Sequence, residues 1–304
     1  MSLFIFIIIF FLGACVGSFS AVLLEETSLK RSFWTGRSHC LSCKKVLQWL
    51  ELIPLVSYAL QKGKCSKCHA DIPRWIWYVE WYMAFLWMVS AMVLSYAGLS
   101  YFSIALHIVI LTGLSWLVIE DMRTRMVSDT RSIPLMGVLF CIYIFLLFVP
   151  VPTLLPSPLV AFAGTCVGMV FYMLQMILPA FYEALRIHKY NVLFSLLISP
   201  FVFPLWIVAK VFIGEKKADR LFPTLHVFET LPSWVGGGDI RLGIIIGALV
   251  GPYDFLYVVM YGYLAGTLYF LIRLFIFREK LKTMPVAPLL FLGICAVWCL
   301  RIFS

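Results

Sequence analysis

Charged residues are scarce in this chain of 304 residues, since only 13% of them are Asp, Glu, Lys or Arg. An ordinary soluble domain carries about 25%. The chain is also 62% hydrophobic, with a mean hydropathy of +0.98. It contains no low-complexity tract and no internal repeat. This composition excludes an ordinary soluble enzyme, a disordered protein and a small disulfide-rich secreted domain. Much of the apolar surface must therefore be solvated by lipid.

Acidic residues are fewer than basic ones, 15 against 24, so the formal net charge is +9. A basic excess can indicate nucleic-acid binding, but in a membrane protein Lys and Arg first mark the cytoplasmic loops. We therefore expect the lipid bilayer, and not a nucleic acid, as partner. The apolar stretch 2–12 lacks a basic segment before it and a small-residue cleavage site after it. It is predicted to be a retained helix and not a signal peptide.

The fold is predicted to be an all-α polytopic membrane protein with about eight transmembrane helices and a small cytoplasmic four-cysteine insert that binds zinc. A helix needs about 20 apolar residues to cross a bilayer. The domain prediction assigns 1–24 to the first transmembrane helix, 25–74 to the insert and 75–304 to a membrane catalytic domain. Within the last, 180–234 is an atypical insertion. The predicted runs are 3–24, 75–97, 101–119, 132–149, 158–179, 238–251, 254–277 and 285–302.

The positive charges set the predicted orientation. The segment 25–74 holds nine Lys or Arg residues and is therefore placed in the cytoplasm. A further apolar run, 190–213, carries Pro200 and Pro204 and has basic residues on both flanks. It is interpreted as re-entrant or interfacial, which leaves both chain termini outside. Arg301 is then the basic residue that lies near the outer face.

Four of the nine cysteines form two C-x2-C pairs in the polar insert, with 21 residues between the pairs. Two such pairs supply the four thiolates of a tetrahedral zinc site, and the reducing cytoplasm disfavours disulfides there. Four thiolates leave no open position, so the zinc is predicted to be structural. Two unliganded thiol pairs, or iron on the same ligands, remain alternatives. The predicted ligands are Cys40, Cys43, Cys65 and Cys68.

Two aspartates are the candidate catalytic residues. Asp121 follows the third apolar run, and Asp239 follows three glycines at the start of the sixth. The predicted topology places both at the cytoplasmic face, where neighbouring carboxylates could share a proton and act on a water as base and acid. The glycines Gly236, Gly237 and Gly238 allow an extended substrate to approach closely.

Each aspartate also has a simpler interpretation. Asp121 could be an interfacial anchor paired with Arg123 or Arg125. Asp239 could be a helix N-cap, because it precedes an apolar helix.

Taken together, these motifs resemble the type IV prepilin peptidases, a family of integral membrane aspartyl proteases. The resemblance begins at Gly17-Ser18-Phe19 and is densest over 38–80, where the four cysteines are followed by Glu80. It continues at IEDMRTRMVSD and GGGDIRLG, so that Asp121 and Asp239 match the two catalytic aspartates of the family. The proline-bounded PVAP, 285–288, resembles the start of the family's last helix.

The resemblance implies an endopeptidase in the bacterial plasma membrane, with its active site facing the cytoplasm. Such enzymes remove a basic leader from prepilins and pseudopilins, usually after a glycine, and many then methylate the new N-terminus with S-adenosylmethionine. This chain departs from the family pattern at Ser20-Ala21-Val22, where Leu-Asn-Val is usual, and at Arg241, where lysine is usual.

Two further classes of function compete with a protease. A membrane assembly or adaptor protein could retain the scaffold and bind a cytoplasmic partner through the insert. A transporter could use membrane carboxylates as a proton relay, but it would need acids deeper in the bundle than those found here.

Overall fold

The computed structural model describes residues 2–29, 38–40, 42–149, 151–186, 237–276 and 285–303. Within these ranges the protein is helical, and extended pairing is limited to two isolated bridges, His39 with Val46 and Lys64 with Asp71. A 3₁₀ turn occupies Trp49–Leu52. The helices are α1 Leu3–Leu29, α2 Val56–Leu60, α3 Arg74–Tyr96, α4 Tyr101–Thr124, α5 Asp129–Phe148, α6 Pro158–Arg186, α7 Gly237–Val250, α8 Pro252–Phe275 and α9 Ala287–Phe303.

The prediction of an all-α membrane fold is confirmed. In the described part of the chain, eight helices correspond to the eight predicted apolar runs. Six of them are long and apolar enough to cross a membrane, so the protein is multi-pass. The helices α7 and α9 are shorter. The predicted re-entrant run 190–213 lies outside the described residues, as does most of the 180–234 insertion.

The chain divides into two compact units, and the first is Met1–Ile119. In this unit α1 packs along α3. A Cβ atom at Gly13 would lie 2.6 Å from the Met83 carbonyl oxygen, and one at Gly17 would lie 2.8 Å from the Glu80 Cα. Glycines four apart therefore let the two backbones approach closely, as small residues do between membrane helices.

The second unit is Glu120–Ser304, and α7 lies at its centre. Helices α5, α6, α8 and α9 all contact α7, and nearly every side chain of α7 is buried. Its 14 residues span only about 21 Å, less than the bilayer's hydrocarbon thickness of about 30 Å. A helix surrounded by other helices does not have to match that thickness, which explains why the sixth predicted run is short.

Four glycines bring α6 and α7 into backbone contact. A Cβ atom at Gly164 would lie 2.0 Å from the Gly247 carbonyl oxygen, and one at Gly168 would lie 2.0 Å from that of Gly243. Two glycines four residues apart on each helix face each other across the interface. No larger side chain fits at these positions unless the helices separate.

An arginine joins three segments at the end of α7 that lies away from Asp239. Arg301 of α9 donates to Asp254 Oδ2 from Nε at 2.8 Å and from Nη2 at 2.5 Å. It also donates to the carbonyl oxygens of Leu154 and Val250, both at 2.6 Å. Asp254, in the first turn of α8, is thus part of an ion pair that ties α8 to α9.

Candidate active site and metal centre

The four cysteines of the insert converge as the sequence predicts. Their sulfur atoms all lie within 4.8 Å of one another. The sulfurs of Cys40 and Cys68 are 3.8 Å apart, and those of Cys43 and Cys65 are 4.0 Å apart. Zinc–sulfur bonds of about 2.3 Å in a tetrahedron place the sulfurs roughly 3.8 Å apart. The geometry therefore fits one tetrahedral metal ion.

Each C-x2-C pair forms the same tight turn. The Lys44 N–H donates to the Cys40 carbonyl at 3.0 Å, and the His69 N–H donates to the Cys65 carbonyl at 3.0 Å. Lys44 and His69, the residues that follow each second cysteine, both have positive φ, 59° and 55°. Such strain in non-glycine residues is retained where the surrounding structure requires it. Here it turns both thiols of each pair toward one point.

Backbone N–H groups in these turns also point at the sulfurs. The Cys68 and Lys67 N–H groups lower the pKa of Cys65 to about 6. The Cys43 N–H lowers the pKa of Cys40 below its ordinary value. Because the thiolate is the metal-binding form, these hydrogen bonds favour ligation at neutral pH.

An ion pair joins the two turns. Lys45, beside the first pair, donates to Glu51 Oε1 at 2.8 Å and to the Ser66 hydroxyl at 2.6 Å. Ser66, within the second pair, also donates to Glu51. The Gln48 N–H, Lys45 and Ser66 together lower the pKa of Glu51 to about 2. Glu51 therefore holds the two halves of the cysteine cluster together as an ionised carboxylate.

Asp121 lies near the end of α4 and is 5% exposed. Its Oδ2 accepts a hydrogen bond of 2.8 Å from the Ala287 N–H, the first residue of α9. The unpaired N–H groups of a helix N-terminus stabilise negative charge. The proline-bounded segment before α9 thus places the N-terminus of α9 against the buried Asp121 carboxylate, whose negative charge it stabilises.

Asp239 lies in the first turn of α7 and is half-buried. Gly237 is the first residue of α7, whereas Gly236 lies outside the described residues. A Cβ atom at Gly238 would lie 2.8 Å from the Val127 carbonyl oxygen. Glycine is thus required at 238 because another part of the same chain approaches there. The predicted substrate-binding role of these glycines stays a prediction.

The loop after Asp121 brings the start of α7 close to the end of α4. The Ser128 N–H donates to Glu120 at 3.3 Å, so the loop folds back onto the residue beside Asp121. Val127, the residue before Ser128, contacts Gly238, and its carbonyl oxygen accepts a 3.1 Å hydrogen bond from Arg241. This loop therefore contacts both the end of α4, which carries Asp121, and the start of α7, which carries Asp239.

Two ion pairs fix that loop. Glu120 pairs with Arg131, and the buried Arg241 pairs with Asp129. Ser128 is the N-cap residue of α5 and Asp129 is in its first turn, where an acid is favourable. No role was predicted from the sequence for Glu120 or Arg131. These two residues have opposite charges and flank the loop between two apolar helices, and this arrangement could have indicated an ion pair across the loop.

Residues 11–94 match the family model described as the Bacterial Peptidase A24 N-terminal domain. That segment contains the four cysteines and Glu80, whereas Asp121 and Asp239 lie after it. The chain is also similar to a protein named prepilin leader peptidase/N-methyltransferase from Myxococcus xanthus (strain DK1622). The two are 39% identical over 66 residues, 22% of this chain and 20% of the relative.

A second relative bears the same name in Bacillus subtilis (strain 168). It is 39% identical over 61 residues, which are 20% of this chain and 25% of the relative. The chain thus matches a quarter or less of each relative's length. No solved structure matches. The segment that carries the cysteine insert between two apolar helices is thus similar to the A24 N-terminal domain and to part of two prepilin leader peptidases.

Proposed function

We propose that this chain is a membrane aspartyl endopeptidase. Its proposed substrates are type IV prepilins and pseudopilins, whose basic leader it removes at the cytoplasmic face of the bacterial plasma membrane. The similarity of residues 11–94 to the A24 N-terminal domain, the similarity to part of a prepilin leader peptidase and the multi-pass helical fold support this proposal. Asp121 and Asp239 are the proposed catalytic residues.

One observation carries the proposal. A buried carboxylate, Asp121, accepts a hydrogen bond from a helix N-terminus, and the loop that follows it packs on Gly238, next to Asp239. Burying a carboxylate near a membrane is costly and is retained where it has a function.

The proposed chemistry needs one water and the two carboxyl groups. One carboxylate removes a proton from the water, whose oxygen attacks the carbonyl carbon of the scissile peptide bond. The other, protonated, carboxyl donates its proton to the leaving nitrogen as the C–N bond breaks. The Ala287 N–H holds Asp121 by Oδ2, so we assign its Oδ1 to the water.

Zinc has a structural role in this proposal. Cys40, Cys43, Cys65 and Cys68 would hold it, and the sulfur spacing fits that ion. Bound there, zinc would cross-link two turns that have little apolar core of their own. No step of proteolysis passes through it.

The relatives' names also include N-methyltransferase, an activity that would use S-adenosylmethionine. At the point where this chain departs from the family pattern, Ser20 and Ala21 are both buried. The Ser20 hydroxyl donates to the Val16 carbonyl and accepts from the Trp116 indole, both at 2.6 Å. These positions contribute to helix packing in this chain, and N-methylation of the new N-terminus with S-adenosylmethionine stays a prediction.

The test is co-expression with a prepilin in a bacterium that lacks its own prepilin peptidase. Leader removal is followed by the mass of the pilin N-terminal peptide. We expect the unchanged chain to process the prepilin, and Asp121→Asn and Asp239→Asn each to abolish processing. Asp71→Asn is the matched control, because Asp71 is an exposed acid of the insert and should leave processing intact.

Normal processing by either active-site variant would refute the assignment of that aspartate. Absence of processing by the unchanged chain, with several prepilins and with the protein confirmed in the membrane, would favour the adaptor function.

A further inference from the structure

The segment 49–60 of the insert is unusual because its exposed side chains are apolar. Trp49 is 73% exposed and Leu60 is 72% exposed. The charged residue of this stretch, Glu51, is engaged by Lys45 and Ser66. Large apolar side chains on a surface without free charge mark a binding surface. Other exposed apolar side chains of the segment are Leu50, Leu52 and Val56.

The middle of this segment enters the space between two transmembrane helices. Leu55 is buried in one cluster with Ala14 of α1 and Ala84 of α3. Ala84 lies ten residues after Arg74, the first residue of α3, which is about 15 Å along the helix axis. The whole of α3, 23 residues, measures about 34 Å, so its start lies close to the boundary of a hydrocarbon layer of about 30 Å. Leu55 therefore reaches well below that boundary.

A buried carboxylate supports the backbone at this depth. The Leu55 N–H donates to Glu80 Oε2 at 2.7 Å, and Glu80 is 6% exposed. Leu55 has a positive φ of 65°, and its N–H is satisfied by this carboxylate, 25 positions away in the sequence. The next N–H groups are satisfied within the segment, Val56 by the Pro54 carbonyl at 2.7 Å and Ser57 by that of Ile53 at 2.9 Å. Irregular backbone at membrane depth requires such pairing.

The flanks of the segment are suited to phospholipid headgroups. Lys44 precedes it, and Lys62 and Lys64 follow it, all of them exposed. Apolar residues flanked by lysines, with a tryptophan at the margin, are typical of a segment that lies in a membrane interface. Tyr58 also stacks on Trp77 of α3, with ring centroids 5.3 Å apart, which holds α2 against the membrane helix.

We propose that residues 49–60 form a re-entrant segment that lies in the lipid interface, with Glu80 holding its turn and phospholipid covering its exposed apolar side chains. The segment thereby anchors the cysteine cluster at the membrane surface. This inference does not depend on proteolysis, because it concerns the partner of a surface and not a reaction. It also gives the carboxylate of Glu80 a physical reason to lie within a membrane helix.

The test is photo-crosslinking of the full chain in vesicles of phosphatidylethanolamine and phosphatidylglycerol. The photoreactive residue p-benzoylphenylalanine replaces Trp49 or Leu60, and in a matched control it replaces Lys67, an exposed residue of the second cysteine turn. Because acyl chains supply the C–H bonds with which the probe reacts, we expect about tenfold more lipid adduct at 49 and 60 than at 67. Mass spectrometry of the modified peptides identifies the adduct.

Equal lipid adduct at all three positions, or none at any, would overturn the proposal. Crosslinking of 49 or 60 to a second copy of the chain would also overturn it, since the surface would then be a protein interface. The role of Glu80 has its own pair of variants. Glu80→Gln keeps an acceptor for the Leu55 N–H and should keep the lipid adduct. Glu80→Ala should lose most of it, and an unchanged yield in a folded Glu80→Ala protein would refute that role.

Discussion

The contact between α6 and α7 makes Gly247 a sensitive position. A Cβ atom there would lie 2.0 Å from the Gly164 carbonyl oxygen, whereas real contacts of this kind rarely fall below 3.0 Å. The atom in the way belongs to the backbone, so no side chain can rotate aside. Gly247→Ala must therefore move the two helices apart by about 1 Å.

The magnitude follows from that displacement. Overpacking in a close-packed interior costs about 1–3 kcal/mol of unfolding free energy. Gly247 lies eight residues after Asp239 in the same helix, about 12 Å along its axis, so the start of α7 moves with it. A misplacement of about 1 Å at reacting groups can lower a rate about 100-fold. We expect Gly247→Ala to lose both stability and prepilin processing.

The assay compares Gly247→Ala with Gly137→Ala. Gly137 is also within a helix, but a Cβ atom there has nothing within 4 Å, so this control removes the general effect of replacing helical glycine by alanine. Thermal unfolding in detergent and the rate of leader removal are measured for both. If the two variants have the same unfolding midpoint and the same rate, the close approach of α6 and α7 is refuted.

Three further predictions concern ion pairs. Arg241→Gln breaks the contacts with Asp129 and Val127. If Asp121 and Asp239 form the proposed active site, it should lower kcat of processing about 10- to 100-fold with little change in KM, because it loosens the loop beside them. Glu51→Gln should release zinc faster to a chelator at pH 7. Since the pKa of Glu51 is lowered to about 2 from 4.5, its stabilising effect is complete above about pH 4.5 and is lost as the pH falls toward 2. Arg301→Gln should lower the unfolding free energy by about 1–3 kcal/mol, because it leaves several acceptors unpaired.

Each of these has its own control. Arg241→Lys keeps the charge and should retain most activity, whereas equal loss in both variants would refute a positioning role for the ion pair. Lys62→Gln, which removes another charge from the insert, should not change zinc release. Arg301→Lys should be intermediate in stability, because lysine keeps the ion pair but cannot reach all the carbonyl oxygens at once.

Several features were predictable because they depend on local or compositional properties. Hydropathy and run length predict the eight apolar helices, since crossing a bilayer demands a minimum length of apolar chain. The C-x2-C spacing predicts a cysteine cluster, since two adjacent turns are enough to bring paired thiols together. The GxxxG spacings at 13 and 17, 164 and 168, and 243 and 247 were also present as a signal of close helix packing.

Other features could not be predicted because they join residues that are distant along the chain. Hydropathy does not show that α7 is surrounded by other helices, which allows it to be short. It also does not show which glycines of α6 face which glycines of α7. The hydrogen bond from Ala287 to Asp121 spans 166 positions, and that from Leu55 to Glu80 spans 25. No pattern in the sequence shows that Leu55 of the polar insert packs with Ala14 of α1 and Ala84 of α3.

The sequence by itself determined that this protein lies in a membrane, that it is helical and that one insert gathers four thiols, because each of these follows from composition or short spacing. Tertiary structure alone decided which helix end stabilises Asp121, which loop approaches Asp239 and what Glu80 holds. These contacts arise from the packing of helices against one another, and such packing depends on the shapes of both partners at once.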